Sequence, residues 1–240
     1  MIVDPGSRAS TDAIYGHLRH RILTGDLAAG SELAQAPVAK AYGVSRGPVR
    51  EAFRLLQREG LITSEVNQRA RVAPLSLDDI EHTYALRVVN ESVALAVSVP
   101  RFSGDELDQM DRMAAVVAAA DPQDFETWDR QHQQFHAMLF AHAGRAMARS
   151  IQQWGDHAER YRRAYVSDAD GGWMAGAGEH AELATACRAG DTTHATALLA
   201  RHLSRAGLRL IATIDPTHDP ALLRAAVRQA TAVEAGGAGD

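Results

Sequence analysis

The chain has 240 residues, 46% of them apolar and 23% charged, with a formal net charge of −5. That is the composition of a globular protein long enough for two domains. No segment approaches the length of a membrane span, no basic-then-apolar leader predicts export, and the single Cys187 excludes an internal disulfide framework. A cytoplasmic protein with no membrane partner is therefore expected. The charge is unevenly divided: residues 1–74 carry a net +3 and the remainder a net −8. A basic head on an acidic body is compatible with one DNA-facing domain.

Residues 1–8 are expected to be a disordered arm. Ile14, Leu18, Ile22 and Leu23 recur at helical spacing over 10–24, and Gly25-Asp26 ends that helix. Residues 27–33 contain Gly30 and are expected as a connection. A short helix follows over 36–42, stopped by Gly43. The next helix, 46–58, has Ser45 placed to cap it by accepting a backbone N–H, and Pro48 in its first turn, where a missing N–H costs little. Val49, Ala52, Phe53, Leu55 and Leu56 form its apolar face. Arg46, Arg50 and Arg54 recur every four residues as one exposed basic stripe. Such a helix suits a DNA major groove, where arginine reads guanine or holds phosphate. Two short extended runs, 61–63 and 69–73, are joined by a turn at 66–68. The order helix, helix-turn-helix, hairpin is that of a winged helix, here over residues 9–74. Asn67, Gln68 and Arg69 at the hairpin tip suit phosphate or minor-groove contact.

The run AKAYGVSRGPVREAFRLLQREGLI, with LR…ILTGDL…GS…L before it, resembles the signature of the GntR superfamily of bacterial transcription regulators. The resemblance covers the first 75 residues or so. It implies that Arg46 and Arg50 contact DNA; Ser45, Arg54, Gln68 and Arg69 complete the candidate DNA face. The sequence departs from the pattern at Ala36, where the family often has a charge, and at Asn67-Gln68-Arg69, where it usually has a glycine. These departures bear on the operator sequence.

After a linker at 75–77, residues 78–215 have the periodicity of an all-helical domain. Helices are expected to 99 from a capping-box-like start at Ser76, then from Ser103 to about 120, over 125–142, 146–166 and 179–188, and from a cap at Asp191 to 214. Residues 167–178, rich in Gly and Asp, are expected as a loop. A weak last helix to 233 lies in a C-terminal extension, 216–240, that ends in a Gly-rich tail. The fold class is mainly α: an N-terminal winged helix-turn-helix with a small β-hairpin wing, then an all-α bundle of six or seven helices.

His132 and His136 stand four apart on one helix, with Asp129 one turn earlier; His180 and His202 lie on the next-but-one helix and the helix after it. Imidazoles from three helices suit a divalent metal in a bundle core, although an i,i+4 histidine pair also occurs without metal. Arg87 and Glu91 are an i,i+4 pair that reads equally as a surface ion pair or as part of a site. The aromatic and basic residues Trp154, Arg160, Tyr161 and Tyr165 are expected in the core rather than a pocket.

The stretches HQQFHAMLF, GEHAELATACRAGDTTHATALLARHL and LRVVNESVALAV resemble the FCD domain, the effector-binding half of FadR-type GntR regulators. In the metal-binding members of that family an aspartate and three histidines hold the ion. By position His136, His180 and His202 match the histidines, and His132 stands where the aspartate would. His132 either ligates directly, the favoured reading, or stands behind the ligands while Asp129 orients an imidazole. Imidazole suits zinc or nickel best, and also cobalt or iron. The resemblance further implies a small carboxylate effector completing the coordination, Arg87 and Glu91 helping to hold it, and a homodimer on a pseudo-palindromic operator of double-stranded DNA. The expected function is a DNA-binding repressor controlled by that acid, and not an enzyme. The alternative is a metal-dependent hydrolase built on the histidine cluster, with Glu91 or Asp129 as base.

Overall fold

The computed structural model describes residues 10–63, 69–121, 123–165 and 176–232. The chain divides into two compact units, Met1–Ser76 and Leu77–Asp240. The arm at 1–8, the hairpin turn with Asn67 and Gln68, most of the loop at 167–178 and the Gly-rich tail lie outside the described residues.

The first unit runs α1 (Thr11–Leu23), β1 (Glu32–Leu33), α2 (Gln35–Ala41), α3 (Arg46–Arg58), β2 (Ile62–Thr63) and β3 (Ala70–Val72). Ser10 caps α1 by accepting from the N–H of Ala13 at 3.2 Å. Ile14, Leu18 and Ile22 from α1 meet Val49, Ala52 and Leu56 from α3 in the core of this unit. Gly43, with φ of +63°, turns the chain between α2 and α3, a conformation glycine adopts at no steric cost.

Two local expectations are corrected here. The segment before α2 contributes a third strand: β1 pairs antiparallel with β3, Glu32 opposite Arg71, and β2 pairs with the other side of β3. Two residues are too few to show alternation, so this strand leaves no periodic trace. Ser45 occupies the N-cap of α3, but its side chain makes no capping bond. The reason is Pro48: it sits at the third helical position, whose N–H is a usual partner of a capping hydroxyl, and proline has none. The exposed Ser45 hydroxyl is left facing outward.

The second unit contains α4 (Leu77–Ser98), a 3-10 turn (Val99–Arg101), α5 (Gly104–Ala118), α6 (Phe125–Leu139), α7 (Arg145–Tyr165), α8 (Ala177–Arg188), α9 (Thr192–Ile214) and α10 (Ala221–Thr231). These are seven helices among the described residues. The central one is α4, packed against α7, α9 and α10. Ile80, Tyr84, Val88 and Leu95 are its fully buried large apolar residues. The Tyr84 ring fits only because Gly207 of α9 lacks a side chain: a Cβ there would stand 2.7 Å from the ring.

Caps set the register of the helices that matter below. Asp124 accepts from Thr127 N–H at 3.0 Å to start α6, and Asp191 accepts from His194 N–H at 2.9 Å to start α9. Helix α6 ends three residues short of the expected 142. Its last turn tightens through i→i+3 bonds from Phe140 to Ala137 and Ala141 to Met138.

The chain beyond Pro216 also differs from expectation. Glu81 of α4 accepts from the N–H groups of Leu222 and Leu223 at 2.6 and 3.2 Å, and its other oxygen is bonded to His218 at 2.9 Å. A carboxylate at a helix N-terminus satisfies donors that have no partner inside the helix. With Leu223 fully buried, α10 is the last element of the helical unit, not an extension beyond it.

Candidate functional site

Two groups of side chains stand out, one in each unit. On α3, Arg46, Arg50 and Arg54 are all exposed along one face, opposite the buried Val49, Ala52, Phe53 and Leu56. Arg54 bonds Glu51 at 3.0 Å, whereas Arg46 and Arg50 have no ion pair among the described residues. An open groove beside them is bordered by Gln35 and Ala36 at the start of α2 and by Arg69 just before β3. Arg69 is held by Glu32 at 3.0 Å, and the same carboxylate takes Arg71 at 2.5 Å. Arg71 was not singled out from the sequence. Its signal was the alternation of β3, with Ala70 and Val72 buried and Arg71 outward. Gln68 lies outside the described residues.

In the second unit, α6, α8 and α9 bring His132, His136, His180 and His202 together. One nitrogen from each lies within 4.8 Å of the others. The rings of His132 and His136 are 4.4 Å apart, and that of His180 is 4.8 Å from that of His202. Trp128, one turn before His132, stacks on it at 4.5 Å. His132 Nδ1 and both nitrogens of His136 have no hydrogen bond, although the groups are buried. Buried polar atoms ordinarily have partners, so such a cluster suits a ligand that uses these nitrogens.

Protonation state supports the same inference. Burial, and then the neighbouring His136, holds His132 well below the usual imidazole range. Burial outweighs the nearby Glu91 carboxylate and takes His136 down to about 4. His202 is also at about 4, from burial and then the Arg87 charge. A neutral imidazole keeps the lone pair a metal needs. The donor set therefore fits a divalent transition metal with nitrogen ligands.

Glu179 was not anticipated. Its carboxylate is bonded to His202 Nδ1 at 2.7 Å and is also paired with Arg205. This places the His202 proton on Nδ1 and leaves Nε2 for the cluster, as acidic partners of metal-bound histidines do. Only adjacency to His180 marked it in the sequence. We expect Glu179→Gln to lower metal affinity by about 10- to 100-fold, measured by competition with a chromophoric chelator. An unchanged affinity would assign Glu179 to packing alone.

Asp129 is in a different place from the one allowed for it. It is buried, but it accepts from Gln133 at 2.7 Å, Arg162 at 3.0 Å and Arg163 at 3.5 Å, and contacts no imidazole in the cluster. The arrangement in which it orients a ligand is not the one present. Arg87 and Glu91 are not a surface pair. Arg87 Nε donates to Glu91 at 2.7 Å with both side chains buried, and Glu91 stands 3.7 Å from His136 Nδ1. Burial opposes the Glu91 charge, yet Arg87 and His136 together hold its carboxyl below the ordinary range.

A cavity of about 370 Å³ opens beside the cluster, lined by Arg87, Glu91, His132, His136 and Arg162 at one end. Trp154, Arg160 and Tyr161 do not line it; Tyr161 is fully buried and donates to Asp79.

A winged helix carrying an exposed arginine face, followed by a separate all-helical unit, is the construction of a DNA-binding transcription regulator. Family comparison agrees. Residues 10–72 match the family of bacterial regulatory proteins described as the gntR family, and residues 82–205 match the FCD domain. The chain belongs to the GntR family, with an FCD domain as its second part. It is similar to the HTH-type transcriptional regulator YdhC of Bacillus subtilis, 28% identical over 132 residues, which is 53% of this chain and 59% of that protein. It is also similar to the HTH-type transcriptional repressor GlaR of Escherichia coli, 27% identical over 207 residues, 79% of this chain and 90% of that one. A GntR family structure from Pseudomonas syringae superposes with a TM-score of 0.53 at 29% identity, covering 85% of each chain. Family and relatives are regulators, so the hydrolase alternative is set aside. Among the described residues no helix is long and apolar enough to cross a membrane.

Proposed function

We propose that this regulator is a repressor whose operator affinity is controlled by a small carboxylate bound at a divalent metal, zinc or nickel, in the helical unit. The observation that carries the reading is the convergence of His132, His136, His180 and His202 beside a cavity that also contains the Arg87–Glu91 pair. The metal, when bound, supplies a fixed positive charge and an open coordination position for a carboxylate oxygen. The four imidazoles bring no negative charge of their own, so the site attracts an anion strongly. Arg87, fixed by Glu91, donates to the acid's second oxygen. Ser45, Arg46, Arg50, Arg54, Gln68 and Arg69 form the DNA face in this reading. Relatives described as repressors support the sign of regulation. A protein that meets the chromosome in this way acts in the cytoplasm.

The regulator works as a homodimer on a pseudo-palindromic operator, each recognition helix meeting one half-site. Leu86, Val89, Val93 and Val97 support this: they form one exposed stripe along α4, with Val93 at 51% exposure. Apolar side chains aligned in this way on a soluble domain mark a contact surface. Val93→Lys is expected to give a monomer by light scattering and to weaken operator binding by about 100-fold or more, because the second half-site no longer binds as a tethered partner. A dimer that persists would put the contact elsewhere.

Release follows if the acid favours a dimer geometry that fits the two half-sites poorly. In a fluorescence anisotropy titration on an operator duplex, the correct acid should raise Kd by about 5- to 150-fold, and a chelator should abolish that response. An acid that tightened operator binding would reverse the proposed sign.

A further inference from the structure

The cavity extends well past the charged end that the reading above uses. From His132 and His136 on α6 its lining passes to Ala137 and, just beyond the end of that helix, to Phe140 and Ala141, four and five residues after His136. Helix α7 runs antiparallel to α6, as the Arg162–Asp129 and Arg163–Glu126 pairs near the start of α6 require. It contributes Ala148 and Ile151 opposite that apolar stretch. Polar residues line it too: Gln133, whose amide donates to Asp129 at 2.7 Å, and Gln152, whose amide donates at 2.8 Å to Asp156, itself on the lining. Arg145, exposed, lies at the outer end. The cavity therefore has one end that carries the histidines and the paired Arg87 and Arg162, and a largely apolar stretch kept open by small side chains.

Its size matters as well. A volume of about 370 Å³ lies within the range of roughly 300–1,000 Å³ usual for pockets that take an organic ligand. A two-carbon acid has four non-hydrogen atoms and would leave most of it unused. Ligand pockets of this kind place a few polar groups to orient the ligand and apolar walls to bind its bulk.

We propose that the slot between α6 and α7 binds the hydrocarbon tail of the effector, so that the signal is a monocarboxylate with an unbranched aliphatic tail rather than a polyhydroxy acid. The proposal rests on the metal–carboxylate reading above: the acid group lies at the histidine and Arg87 end, and the tail runs along Ala137, Ala141, Ala148 and Ile151. A hydroxyl finds no partner on these alanines or on Ile151, so along them a polyhydroxy acid gains less than an alkyl tail does.

The test is calorimetric titration of the full zinc-loaded chain with acetate, butanoate, hexanoate, octanoate and gluconate. Affinity should rise two- to four-fold per added methylene up to about hexanoate or octanoate, the gain expected when a CH₂ leaves water. Gluconate, with the same carbon count as hexanoate, should bind no better than acetate. Ala148→Phe, which fills the slot, should flatten the series and leave acetate unchanged; if circular dichroism shows that this variant does not fold, Ala141→Leu replaces it. A flat series in the unaltered chain, or gluconate binding more tightly than hexanoate, overturns the tail assignment while the carboxylate site stands. If acetate and every longer acid fail to bind the zinc-loaded chain, the carboxylate reading itself fails, and the tail with it.

Discussion

Arg50→Ala is expected to weaken operator binding by about 30-fold at least. A bidentate arginine–guanine contact is worth about 1–3 kcal/mol, and in the homodimer proposed above it is lost twice, once in each half-site, for about 2–6 kcal/mol in all. Arg50 is the residue to choose because it is exposed on α3 with no ion pair among the described residues. Its removal should change stability by no more than about 0.5 kcal/mol, so lost binding will not be lost folding. Arg46→Ala should behave similarly. Arg54→Ala should cost less, since its guanidinium is shared with Glu51 at 3.0 Å. Anisotropy at several salt concentrations separates the roles. A phosphate contact lowers the salt slope by about one per arginine and weakens all sequences alike, whereas a base contact relaxes preference at one position. If Arg46→Ala and Arg50→Ala both bind as the unaltered chain does, the DNA face lies elsewhere on the first unit.

The second large effect is expected at the proposed metal site. Four-ligand structural zinc sites are worth about 10–16 kcal/mol, so one ligand accounts for about 3 kcal/mol or more, and His136→Ala should lower affinity by about 100-fold or more. His136 is chosen because it stands within the cluster and its nitrogens make no hydrogen bond shorter than the 3.7 Å approach to Glu91. Elemental analysis of the purified variant should show substoichiometric metal. The unaltered chain should also melt higher with metal than without, since saturation at 1,000 times Kd stabilises by about 4 kcal/mol. In His136→Ala this increase should shrink. His132→Asp tests the departure from the family pattern. If His132 fills the aspartate position, the variant keeps its metal, with the new carboxylate near the same three imidazoles. Unchanged metal content in His136→Ala would remove His136 from the ligand set.

Much of the fold was legible before any coordinates. The bounds of α3 follow from Ser45, the arginine stripe and the Glu59-Gly60 stop, and the structure has the helix at Arg46–Arg58. The histidine pair on α6 was legible for a similar reason: an i,i+4 spacing on a helix is geometry written in the chain itself. What was not legible depended on neighbours distant in sequence or on exceptions to a local rule. Ser45 has the right identity for a cap and still makes no bond, because Pro48 removes a donor. Strand β1 exists only through its pairing with β3, thirty-nine residues away at Glu32 and Arg71. Helix α10 is part of the bundle because Glu81, from its first helix, holds the N-terminus of α10.

The sequence by itself determined the elements and the kinds of chemistry on them: a basic helix in a winged-helix order, and four histidines on three helices. Local periodicity and turn residues suffice for that, since each acts over a few neighbouring positions. Only the tertiary structure decided which side chains meet. It turned Asp129 toward Arg162 and Arg163, bonded Glu179 to His202, buried the Arg87–Glu91 pair beside His136, and opened a cavity between α6 and α7. These outcomes depend on how helices pack against one another, and packing is set by the sum of many side-chain volumes rather than by any one motif.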